Sequence, residues 1–106
     1  MAYSRTKINN CLNLVNQITE TVASKKDHFA KWAEIKEVFD FCYENTNCIL
    51  FSTNFSFQYE DYAKAVNNNE TKKVLDNHLK ACVRYLQKQV YAIKMSMDLG
   101  EIETIQ

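Results

Sequence analysis

The chain contains no proline and a single glycine, Gly100, and that shortage constrains its fold more than any other feature. Strand-rich folds need many tight turns, and those turns draw on Gly for positive φ and on Pro for the other common geometries. A chain of 106 residues with almost neither turns rarely, so it is built from long helices joined by few loops, with Asn taking any left-handed position. Apolar residues make up 46%, enough for a core, and charged residues 25%, too balanced a mixture for wholesale disorder. The length is that of one domain. The expected fold class is all-α: a four-helix bundle with helices near 5–24, 28–50, 56–66 and 70–98, the last one long, and a short tail over 100–106.

Periodicity supports each helix. Ile8, Cys11, Leu12, Val15, Ile18 and Val22 recur at three- and four-residue steps, with Ser4 or Thr6 as the cap of the first helix. Asp27 is placed to cap the second, whose broad apolar face carries Trp32, Ile35, Val38, Phe39, Cys42 and Tyr43. Glu37, Asp40 and Glu44 fall on the opposite, solvated side of that helix. Three consecutive Asn at 67–69 mark a loop, and Asn67 with Glu70 has the spacing of a capping box for the last helix. That helix holds a continuous stripe of Val74, Leu75, His78, Leu79, Cys82, Val83, Leu86, Val90, Ile93 and Met97, and Gly100 supplies its left-handed stop.

The segment "CILFSTNFSFQYEDY", 48–62, is ambiguous. Phe55, Phe57 and Tyr59 alternate as in a strand, whereas Phe51, Phe55, Tyr59, Tyr62 and Val66 recur as on a helix. The chain offers no further strands, and an isolated two-stranded hairpin is marginal in water. The expectation is a break at 52–54 followed by a short helix capped by Ser56. Tyr59, Tyr62 and Val66 then face the core, with Phe55 just outside the helix, and Phe57 points away without an obvious cover.

Formal net charge is zero, but the charges are segregated. Six acids and one base lie between Glu34 and Asp61, and six bases and one acid between Lys72 and Lys94. The simplest expectation is that the acidic and basic elements face each other across the fold. No apolar run approaches the length of a membrane span, and no secretory signal is visible. The four cysteines, Cys11, Cys42, Cys48 and Cys82, are expected to be reduced, three of them in core stripes, in a cytoplasmic protein.

Tests for chemistry leave no catalytic, cofactor or metal residues to name. The two histidines, His28 and His78, stand fifty positions apart, and no pair of ligands has zinc-site spacing. His78 and Cys82 share a helical face as a packed core pair, and His28 beside Asp27 is expected at the surface. The helical ribonucleases of the HEPN class carry an Arg followed four to six residues later by His, and neither Arg5 nor Arg84 has that partner. One glycine cannot make a phosphate-binding loop.

The back of the last helix is the most informative feature. With Leu86 at the centre of the core stripe, Lys80, Arg84 and Lys88 lie roughly 120–160° away, followed on the same side by Tyr91, Met95, Leu99 and Ile102. A solvated helix has no need of an apolar second seam, so either the tail folds over it or another chain does. Tyr, Met and Arg are the types enriched at interface centres. The expected function is a small non-enzymatic helical protein-binding module, an inhibitor or adaptor acting on a larger protein, or a homodimer. Its contact set is Lys80, Arg84, Lys88, Tyr91, Met95, Leu99 and Phe57. The alternative is a nucleic-acid-binding domain using the basic part of this face, which the neutral net charge disfavours. Eleven Asn and eleven Lys suggest an AT-rich coding source, as in phage and mobile-element accessory proteins that inhibit host defence.

Overall fold

A computed structural model of the chain describes residues 3–46, 53–101 and 104–105. It is an all-α four-helix bundle. The helices are α1 (Arg5–Asn16), α2 (Asp27–Thr46), α3 (Thr53–Asn67) and α4 (Lys72–Asp98). Two-residue strands at the chain ends, β1 (Tyr3–Ser4) and β2 (Thr104–Ile105), pair in parallel. That pairing was not expected from the sequence, since neither dipeptide is long enough to show a period.

α4 is the spine. Its 27 residues run about 40 Å at 1.5 Å per residue, which sets the long axis of a molecule measuring 45 × 23 × 19 Å. Two shorter helices share its length. α1 runs antiparallel along its C-terminal half, as Arg5 Nη1 pairs with Asp98 Oδ1 at 2.6 Å and Asn16 Nδ2 donates to Tyr91 Oη at 3.4 Å. α3 turns back antiparallel from the loop at 68–71 and covers the N-terminal half, where Tyr62 and Asp76 hold a common partner. α2 packs against all three. The core lies between them, with Ile8, Val15, Ile35, Tyr62, Leu79, Leu86 and Val90 fully buried.

Both helix ends that carry a left-handed residue close in one way. After α3, Asn69 (φ 56) lets Glu70 N–H reach Ala65 O at 3.2 Å and its own N–H reach Val66 O at 3.1 Å. After α4, Gly100 (φ 73) lets Glu101 N–H reach Ser96 O at 2.9 Å and its own N–H reach Met97 O at 3.1 Å. Each pattern satisfies carbonyls that a helix end leaves open. Asn at the first site and Gly at the second are the two residue types that tolerate this backbone region.

Four boundaries differ from expectation. α1 ends at Asn16 rather than near 24: the bonds tighten at Gln17 and Ile18, whose N–H groups reach Leu14 O and Val15 O at 3.2 Å. β-branched Thr19, Thr21 and Val22 do not extend it, although Ile18 is still buried. Asp27 is the first residue of α2, and its carboxylate reaches back to accept from Ser24 N–H at 2.9 Å and Ser24 Oγ at 3.0 Å. α3 starts at Thr53, so Ser56 lies within it instead of capping it. α4 is capped by Thr71, whose hydroxyl accepts from Val74 N–H at 3.3 Å, and not by Asn67, which ends α3. Of the expected break at 52–54, residues 53 and 54 are helical, as is Phe55, which was expected just outside the helix; the expected reach of α2 to 50, residue 52, Cys48, Ile102 and the placement of the Phe55 side chain fall outside the described residues.

Candidate functional site

The back of α4 follows from its inward stripe. Leu86, Val90, Ile93 and Met97 are buried, so residues about half a turn away face solvent. Tyr91, Met95 and Leu99 are 46%, 62% and 68% exposed, and they sit one after another at four-residue steps. The described tail residues Thr104 and Ile105 pair with β1. Arg84 and Lys88 precede them on the same side, both exposed, while Lys80 is half-buried. Arg84 Nε lies 3.5 Å from Glu20 Oε1, a long exposed pair of the kind worth little. Phe57 is 62% exposed but stands on α3 rather than in this row. The structure thus brings Arg84, Lys88, Tyr91, Met95 and Leu99 into one stripe and leaves Phe57 apart.

The acidic and basic elements do not face each other as expected. Among the described residues no ion pair joins an acid of α2 to a base of α4. Glu34 and Asp40 take their partners from α2 itself, Lys31 at 2.7 Å and Lys36 at 3.1 Å. The reason is packing: α2 buries Ile35, Val38 and Cys42, so its polar side is turned outward. That outer side begins with Phe29, 60% exposed, which sequence reasoning did not single out. Its position about 120° around the helix from Ile35 was the available signal.

His28 was expected at the surface and is fully buried. Its Nδ1 lies 2.5 Å from Tyr62 Oη and its Nε2 3.0 Å from Asp76 Oδ1. Asp76 Oδ2 in turn accepts from Lys72 Nζ at 2.7 Å. A carboxylate only accepts, so Nε2 carries the ring proton, and Tyr62 donates its hydroxyl hydrogen to Nδ1. Burial pulls the His28 pKa below its ordinary value, against the opposing pull of Asp76. Burial pushes Asp76 up, but Lys72 and His28 outweigh it and hold the carboxyl below its usual range. Tyr62 is pushed well up by burial. The network pins the start of α2 to α3 and α4, and no atom of His28 is open to solvent. Sequence reasoning missed it because His28 precedes the recognisable stripe of α2, and its partners are 34 and 48 residues away.

His78 is not a core partner of Cys82. It is half-buried at the rim of an open groove of about 320 Å³, lined also by Asp61, Lys64, Glu70 and Val74. Cys11, Cys42 and Cys82 are buried thiols. Cys82 is pushed up to about 12 by burial, far from a reactive thiolate. Cys11 and Cys42 share a hydrogen bond between α1 and α2 that lowers the one and raises the other. Among the described residues no cluster of His, Cys, Asp and Glu has the makings of a metal site, and no helix is long and apolar enough to cross a membrane. Compared with protein-family models, characterised proteins and solved structures, the chain matches none.

Proposed function

We propose that the chain is a non-enzymatic protein-binding module, an inhibitor or adaptor that docks the back of α4 on another protein. One observation carries this reading: Tyr91, Met95 and Leu99 form a continuous exposed apolar row beside Arg84 and Lys88. Aromatic, Met and Arg side chains on one face are what interface centres use. The finer role, inhibition of a host defence by a phage or mobile-element product, rests on the Asn- and Lys-rich composition alone.

The test is affinity capture from the native host with two baits, the wild-type chain and a Tyr91→Asp/Met95→Asp variant. Both residues are exposed, so the variant keeps the helical content of the wild type. A protein retained by the first bait and lost on the second supports the reading. Identical retention profiles remove it. Nucleic-acid binding is the lesser reading, since the net charge is zero; retention on DNA or RNA that weakens steeply with salt would favour it.

A further inference from the structure

The outer stripes of α2 and α4 match each other, and the match is a register. On α2, Phe29, Ala33, Glu37, Asp40 and Glu44 follow one another at steps of four, four, three and four residues. Reading α4 backward, Leu99, Met95, Tyr91, Lys88 and Arg84 follow at the same steps. Each set occupies one helix face, about 100° or more from the buried residues of its helix. Phe29, Ala33, Glu37 and Glu44 are exposed, and Asp40 is half-buried and pairs with Lys36.

We propose that the back of α4 binds the outer face of α2 of a second copy of this chain, with the two helices antiparallel. This rests on the protein-binding reading of that stripe and names its partner. In this register Phe29 meets Leu99 and Ala33 meets Met95, so apolar is placed on apolar. Asp40 meets Lys88 and Glu44 meets Arg84, so acid is placed on base. Glu37 stands opposite Tyr91, whose hydroxyl hydrogen it accepts. The antiparallel sense also sets the positive end of one helix dipole beside the negative end of the other. Complementary charge is the argument for this occupant: among the described residues no ion pair joins the two outward stripes within one molecule, and the pairs that Asp40 and Arg84 make there, with Lys36 and Glu20, are exposed ones of the kind worth little.

Within the protomer the two stripes are different patches, one on the outward face of α2 and one on that of α4. The contact is therefore heterologous, joining a different patch on each copy, and it repeats into an open chain rather than closing as a pair. Five side chains a face is well short of the roughly 20–30 residues a side of a standard interface. Each link is weak, charge-dependent and visible at high protein concentration and low salt.

The experiment is sedimentation equilibrium on the purified chain at protein concentrations up to about 0.5 mM. At about 10 mM salt, where charges act over about 30 Å, the weight-average mass rises with concentration beyond about twofold and does not plateau at the dimer. In about 1 M salt, where that length is about 3 Å, it returns to the protomer. Two charge-reversed variants, Asp40→Lys/Glu44→Lys and Arg84→Glu/Lys88→Glu, each stay protomeric alone and associate when mixed, with helicity checked by circular dichroism. A wild-type chain that stays protomeric at low salt overturns the proposal, as does a mixture that fails to associate. If capture with the Tyr91→Asp/Met95→Asp bait still loses a foreign protein in those cases, the binding surface stands and only its self-recognition falls.

Discussion

At the scale of single residues, His28 decides the most. A fully buried imidazole is tolerable because both of its nitrogens are used, one by the Tyr62 hydroxyl and one by the Asp76 carboxylate. Removing one partner without changing shape isolates that dependence. Tyr62→Phe leaves Nδ1 buried and unpaired, and denaturant unfolding is expected to show a loss of about 1–3 kcal/mol. The network also makes stability pH-dependent. The charged groups around the ring are Asp76 and Lys72 from α4 and Asp27 from α2, with the Tyr62 hydroxyl from α3. Folding lowers the His28 pKa, so just below 6.5 the unfolded chain binds the proton first and the native state loses ground. Unfolding midpoints are expected to fall as pH drops below that value, and a His28→Gln variant is expected to show a shallower fall over the same interval. An equal slope in both would assign the pH dependence to other groups.

At the scale of helices, the two left-handed caps show how little glycine this fold needs. Gly100 has open space where a Cβ would sit, with no atom within 4 Å. The cost of Gly100→Ala is therefore conformational rather than steric, about 1–2 kcal/mol for an L-residue held at positive φ, read by thermal or denaturant unfolding. No loss at all would mean that the end of α4 rearranges freely. The helices themselves were legible in the sequence, since their stripes recur every three or four residues and local spacing suffices to read them. The end of α1 was not. Ile18 and Val22 belong to its stripe and do pack on the core, but from a loop, so a correct burial pattern overstated the helix. The candidate stripe Arg84, Lys88, Tyr91, Met95 and Leu99 was legible for the same local reason, whereas Phe29 was masked by the broad apolar face assigned to α2.

At the scale of the whole molecule, the shape follows from one long helix shared by two short ones. The radius of gyration is 14.6 Å, against roughly 13 Å for a compact chain of this length. A thin rod has much surface for its volume, and here the outward stripes of α2 and α4 carry opposite charge. A neutral net charge conceals that separation, which governs orientation and encounter more than the sum does. The salt-dependent association argued above belongs to this scale, since it depends on where whole faces point and not on any one side chain.

The sequence by itself determined the class of the fold, the main inward stripes of α1 and α4, the loop at the Asn triplet and the stop at Gly100, whereas Tyr43, expected on the inward face of α2, is exposed. The legible features depend on neighbours within about one or two turns, and the shortage of Gly and Pro left few alternatives. Only the tertiary structure decided that His28 is buried, that α1 yields after Asn16, and that the acids of α2 turn away from the bases of α4. Each of these depends on which helix covers which half of α4, and that is set by side chains dozens of positions apart meeting in one core.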